Sequence, residues 1–127
     1  IVESVDSVHL GQAIARHAGG KRVPILLEVN VSGEANKYGF TISELSEALR
    51  SLQGLPELDV RGLMTVAPMA EDTETVRPVF QQLRELRDRL GLRELSMGMT
   101  DDFEVAIQEG ATMVRIGRAI FGARPQE

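Results

Sequence analysis

Arg115 and Arg118 stand three residues apart in the run RIGRAIFG, with Gly117 between them. The first sits inside an apolar stretch and the second follows a glycine, so a buried charge there needs an anionic partner. Alternation along a strand from Thr112 to Ile116 turns Val114 and Ile116 toward a helical layer and Met113 and Arg115 the other way. Gly117 would let the backbone approach a ligand where a new helical turn offers N–H groups. With the nearby cation, that makes a cup for a phosphate. Ser96-Met97-Gly98, at the end of the preceding strand, adds a hydroxyl and a glycine amide that could close the other side. The alternative is an internal ion pair between Arg115 and a carboxylate such as Glu28.

Two further sets carry polar chemistry. Asn30, Glu34 and Lys37 follow an apolar strand in NVSGEANKYGF, between Gly33 and Gly39, and either reach a ligand or form a solvated loop. Thr65, in GLMTVAP, marks a strand end, where ligand contact and ordinary strand packing are the two options. His9 and His17 lie too far apart on one helix to share a metal, and no metal site or catalytic residue is assigned. Met97, Met99 and Met113 read as core filling. Only Lys21 and Lys37 of the fourteen basic residues are lysines, so amine chemistry has two side-chain candidates.

These residues must be positioned by alternating strands and helices. Strands are predicted at Ile1 to Val5, Val23 to Val31, Leu58 to Pro68, Glu94 to Met97 and Thr112 to Ile116. The first helix takes Asp6 or Ser7 as N-cap, buries Leu10, Ala13 and Ile14, and closes at Gly19-Gly20. Thr41-Ile42-Ser43-Glu44 is a capping box ahead of a stripe of Leu45, Ala48, Leu49 and Leu52. A third helix runs from about Thr75 to Leu90, its start limited by Pro78. Arg84 with Asp88 and Glu85 with Arg89 are i,i+4 pairs on its wet side. Asp101-x-x-Glu104 caps a fourth helix that buries Phe103, Ala106 and Ile107 and stops at Gly110. Five βα-type strands form either an open doubly wound sheet or part of an eight-stranded barrel, and in both the ligand end is the carboxyl end of the strands. No glycine-rich nucleotide fingerprint follows a strand.

The 127 residues, 43% of them hydrophobic, suit a single domain. Without cysteine there are no disulfides, thiol nucleophiles or cysteine-based zinc sites. A net charge of −5 argues against nucleic acid as partner, and any anion site must be local. No run of 18 apolar residues suggests a membrane partner, and a soluble, cytoplasmic protein is expected. Ile1-Val2-Glu3 reads as mid-strand without an initiator methionine, so the chain is expected to be a piece of a longer protein.

LLEVNVSGEANKYGF, RGLMTVAP and LSMGMTDDFEVAIQEGATMVRIGRAIFG, with the opening ESVDS, resemble the pyridoxal phosphate homeostasis protein family across essentially the whole chain and in the same order. The resemblance implies an α/β fold, a partial (β/α)8 barrel of about strands four to eight with the first three strands absent. It implies pyridoxal 5′-phosphate as cofactor, through phosphate contacts only in this chain, and a role in cofactor and amino-acid homeostasis without an established turnover. Ser96, with Met97 and Gly98, and the backbone around Gly117 and Arg118 would hold the phosphate, and Arg115 would face the pyridine nitrogen. Many relatives have a small residue at the position of Arg118, and Thr100 replaces a common serine. The family's Schiff-base lysine lies on the first barrel strand, which neither Lys21 nor Lys37 matches. The alternatives are a fragment of an amino-acid racemase, for which only Tyr38 could be a tyrosine base, and a half-barrel that self-associates through exposed sheet edges.

Overall fold

Short apolar runs bounded by glycine and capping residues become strands and helices in strict alternation. The computed structural model describes residues 1–33, 38–68 and 71–115. They form β1 (Val2–Val5), α1 (Val8–Arg16), β2 (Val23–Glu28), α2 (Ile42–Gln53), β3 (Leu58–Met64), a 3-10 turn (Thr73–Val76), α3 (Arg77–Arg89), β4 (Glu94–Met99), α4 (Phe103–Gln108) and β5 (Met113–Arg115). The sheet is parallel, in the order β1-β2-β3-β4-β5, so each strand pairs with the next in sequence. Crossovers of the same hand in that order place the helices on one face, as the general rule for such connections requires. A doubly wound sheet would reverse its strand order partway, and this one does not.

The helix-facing core joins Ile25, Leu27, Leu63, Leu95 and Met97 of the strands to Leu49 and Leu52 of α2 and Phe80 and Leu83 of α3. Leu26 and Met64 are also buried but lie outside that cluster, as alternation to the opposite face requires. Glu28 pairs in register with Met64, and Met64 with Ser96, so these three cross the opposite face in a row.

Local signals set several boundaries as expected. Ser7 caps α1 by accepting from the Leu10 amide at 3.0 Å. The Thr41–Glu44 box closes in both directions, at 3.3 Å from the Glu44 amide to Thr41 Oγ1 and 2.9 Å from the Thr41 amide to Glu44 Oε1. Pro78 falls in the first turn of α3, after a 3-10 turn capped by Asp72.

Elsewhere tertiary packing overrides the pattern. Leu10 is exposed, because α1 turns Gly11 toward α2, where a Cβ would meet Leu52 Cδ2 at 2.4 Å. α4 begins one residue later than the predicted cap: Asp102 is its N-cap, its Oδ1 accepts from the Met99 amide at 2.7 Å, and no side-chain bond caps the helix. Val105 and Ala106 are the buried residues of that six-residue helix, and Ile107 is exposed. Met99 is exposed too, leaving Met97 as the methionine of that strand within the core. Arg84 does not pair with Asp88; it reaches Glu109 Oε1 at 3.0 Å, beside Arg77, which holds Oε2 at 2.6 Å. β2 and β3 end at Glu28 and Met64, before the expected Val31 and Pro68, while β4 runs on to Met99.

Candidate functional site

Arg115 is the last described residue of β5, and alternation turns its side chain to the face opposite the helices, as predicted from the final strand. There Arg115 Nη1 donates to Ser96 Oγ at 2.5 Å and Nη2 donates to the Thr65 carbonyl at 3.0 Å. Ser96, mid-β4, is fully buried, and Thr65, one residue past β3, is 2% exposed. Thr65 Oγ1 in turn donates to the Val29 carbonyl at 2.7 Å, and its amide to the Ser96 carbonyl at 3.1 Å. One continuous chain of hydrogen bonds therefore crosses the carboxyl ends of β2, β3, β4 and β5. Charge-assisted bonds of this kind are stronger than neutral ones.

Val114, the neighbour of Arg115, lies on the helical side, where its Cγ1 would stand 3.4 Å from a Cβ on Gly98. Glu28 is half-buried on the opposite face. Burial raises its pKa, the Asp6 carboxylate raises it further, and the Arg115 charge draws it back, leaving it above the ordinary value of 4.5. No ion pair joins Arg115 to Glu28 among the described residues. The internal ion pair considered from sequence is thus a field acting at a distance, and the guanidinium is held by a hydroxyl and a carbonyl instead.

The structure brings together Ser96, Arg115 and Thr65 from the residues singled out by sequence. Met97 points its side chain into the helix-facing core, away from Ser96 and Arg115. Gly98 has φ +101°, and a Cβ on it would stand 2.6 Å from Ala106 Cβ, so the close seating of α4 requires this glycine. Asn30 serves its own loop: its Oδ1 accepts from the Gly33 amide at 3.1 Å and from Ser32 Oγ at 3.3 Å. Glu34, Lys37, Gly117 and Arg118 lie outside the described residues. Asp6 was missed as a neighbour of Glu28; Ser7 takes the cap, and the position of Asp6 just past β1 was the available signal.

Two hollows lie elsewhere. One of about 310 Å³ is bordered by Asp6, Ser7, Phe40 and Glu44, and one of about 270 Å³ by Glu74, Asp101, Asp102 and Glu104. Neither is lined by Ser96 or Arg115. Among the described residues no group of three or more histidine, cysteine or acidic side chains could hold a metal, and no helix is long and apolar enough to cross a membrane. Tyr38, the chain's one tyrosine, is 79% exposed.

The arrangement offers a fixed positive charge beside a hydroxyl at the carboxyl edge of a parallel sheet. That donor set suits an anionic or electron-rich ligand.

Residues 1–125 match the family described as alanine racemase, N-terminal domain. The pyridoxal phosphate homeostasis protein of Aquifex aeolicus is 46% identical over 132 residues, a match covering 98% of this chain and 58% of that protein. PipY of Synechococcus elongatus, in its structure without PLP, superposes with a TM-score of 0.87 at 35% identity, covering 94% of this chain and 60% of PipY. Its structure with PLP bound gives a TM-score of 0.83 at 32% identity, covering 94% and 59%. The chain thus spans a little under three-fifths of the Aquifex protein's length.

Proposed function

Because the chain belongs to the alanine racemase N-terminal domain family, we propose that it is the carboxyl-terminal portion of a pyridoxal 5′-phosphate-binding barrel. Its role is to carry and regulate that cofactor, with no turnover reaction of its own. In this reading the five strands are about strands four to eight of a (β/α)8 barrel, and the strand bearing the Schiff-base lysine lies outside the 127 residues. The sequential parallel strand order and the shared order of motifs support it.

The observation that carries the reading is the convergence of Arg115 and Ser96 at the carboxyl edge of β4 and β5. The Ser96 hydroxyl, which can both donate and accept, is the side-chain contact to the phosphate in this reading. Met97 and Gly98, with the backbone of Gly117 and Arg118 as expected from the family resemblance, would complete the phosphate contacts. Arg115, permanently charged, would face the ring nitrogen and disfavour a proton there. The bound cofactor supplies an electron-withdrawing ring, and an unprotonated ring nitrogen keeps that withdrawal weak, which suits carriage over turnover. The protein acts in the cytoplasm on a small-molecule partner.

Equilibrium dialysis of the 127-residue chain against pyridoxal phosphate, followed by borohydride reduction and intact mass, tests this. Saturable binding that is lost in Arg115→Ala and leaves no covalent adduct is expected. An adduct on Lys37, or no binding at all, contradicts it.

A second reading rests on β1 and β5, the outer strands of the sheet, whose edges could pair with another copy. Sedimentation as a monomer at all concentrations would rule it out.

A further inference from the structure

Thr65 makes contacts that ordinary strand packing does not need. It stands beyond the last paired residue of β3, yet its amide, hydroxyl and carbonyl each bond to a different partner: the Ser96 carbonyl, the Val29 carbonyl and the Arg115 guanidinium. A valine would fill the same volume with the same stiff β-branched rotamer. What valine lacks is the proton given to Val29, across 36 residues of sequence. That bond fixes the Thr65 side chain against β2, and the peptide that carries it is the one whose carbonyl receives Arg115.

Arg115 also has a competing partner within reach of its field. Glu28 is a half-buried carboxylate on the same sheet face, influenced by the Arg115 charge, and a carboxylate is the strongest ordinary acceptor for a guanidinium. Among the described residues, the groups on the side of Arg115 include a carboxylate from β2, a carbonyl past β3 and a hydroxyl from β4, with Asp6 past β1 beside the carboxylate. The guanidinium takes the carbonyl and the hydroxyl.

We infer that Thr65 is a positioning residue: anchored on the Val29 carbonyl, it presents its own carbonyl so that Arg115 stays aimed beside Ser96 and off Glu28. The inference rests on the reading of Arg115 and Ser96 as the cofactor contacts. It adds that the aim of Arg115 is set by a residue that does not touch the ligand.

The test compares Thr65→Val, Thr65→Ser and Thr65→Val/Glu28→Gln by two readouts, the side-chain Nε–H resonance of Arg115 and dialysis against pyridoxal phosphate. Thr65→Val is expected to shift the Arg115 resonance and weaken binding about tenfold, the scale of one lost hydrogen bond. Thr65→Ser, which keeps the donor, stays within about threefold of the parent, and Glu28→Gln in the valine background recovers part of the loss by removing the competitor. An unmoved Arg115 resonance with unchanged binding in a folded valine variant overturns the inference. Should the valine variant not fold, the serine variant decides alone: a folded Thr65→Ser that loses binding and shifts the resonance overturns it. If the parent chain binds no pyridoxal phosphate, the functional reading fails, and the Arg115 resonance still reports whether Thr65 sets its aim.

Discussion

The Arg115 guanidinium on β5 donates to the hydroxyl of Ser96 on β4 at 2.5 Å, and this contact joins the outer strand β5 to its neighbour β4. Both partners lie on the face away from the helices, so their meeting is not a by-product of the main core. Replacing Arg115 by alanine leaves the buried Ser96 hydroxyl and the Thr65 carbonyl without this donor, and a stability loss of about 1–3 kcal/mol is expected in urea unfolding. Arg115→Lys is predicted to recover little of it, because one ammonium cannot reproduce two diverging guanidinium bonds.

Acidification is predicted to act on Glu28 in the stabilising direction. Burial first, and Asp6 second, hold its folded pKa above the ordinary 4.5. The ionised form is therefore disfavoured by folding, and that cost is present at neutral pH. It disappears as pH falls through the raised folded value toward the ordinary one. Thermal melts of the parent and Glu28→Gln as a function of pH check this: the glutamine variant should melt higher near neutrality, and the difference should shrink toward pH 4.5.

Glu109 is predicted to act in the opposite sense. The hydrogen bond from Arg77, helped by the charges of Arg84 and Arg77, holds its carboxyl below the ordinary value, against the contrary pull of burial. Its contribution is complete above the unfolded pKa and is lost as pH falls through the depressed folded pKa. Glu109→Gln should lower the urea midpoint at neutral pH, with the deficit closing in strong acid. Arg84→Ala should reproduce part of the neutral-pH effect, whereas Asp88→Ala should leave it unchanged.

Two glycines separate conformation from packing. Gly98 and Gly91 both have positive φ, but a Cβ on Gly91 meets nothing within 4 Å, whereas one on Gly98 meets Ala106 Cβ at 2.6 Å. Gly91→Ala is expected to cost about 1–2 kcal/mol for the left-handed backbone alone. Gly98→Ala adds overpacking worth about 1–3 kcal/mol more, and denaturant midpoints of the two variants measure the difference.

What could be read from the sequence follows the range of the interaction. The Thr41–Glu44 box is local and closes as its spacing predicts. The face that Arg115 takes follows from strand alternation, and so does the inward turn of Met97, although the same rule separates its side chain from Ser96, with which it had been grouped. The job of Thr65 depends on partners on β2, β4 and β5, and no window of sequence contains them. Arg84 had a plausible partner four residues on in Asp88; Glu109, held also by Arg77, is the better one and comes only with the packing of α4 against α3. Gly11, which the apolar stripe of α1 does not include, is the point where α1 meets Leu52.

The proposed function requires the carboxyl edge of β3, β4 and β5 to hold pyridoxal phosphate without a covalent bond. A titration of the 127-residue chain with pyridoxal phosphate, followed by amide 15N–1H spectra, locates the ligand directly. Saturable shifts centred on the amides of Thr65, Ser96, Gly98 and Arg115 are expected. Shifts confined to the hollow at Asp6, Glu44 and Glu47, or no saturable shift at all, would contradict it.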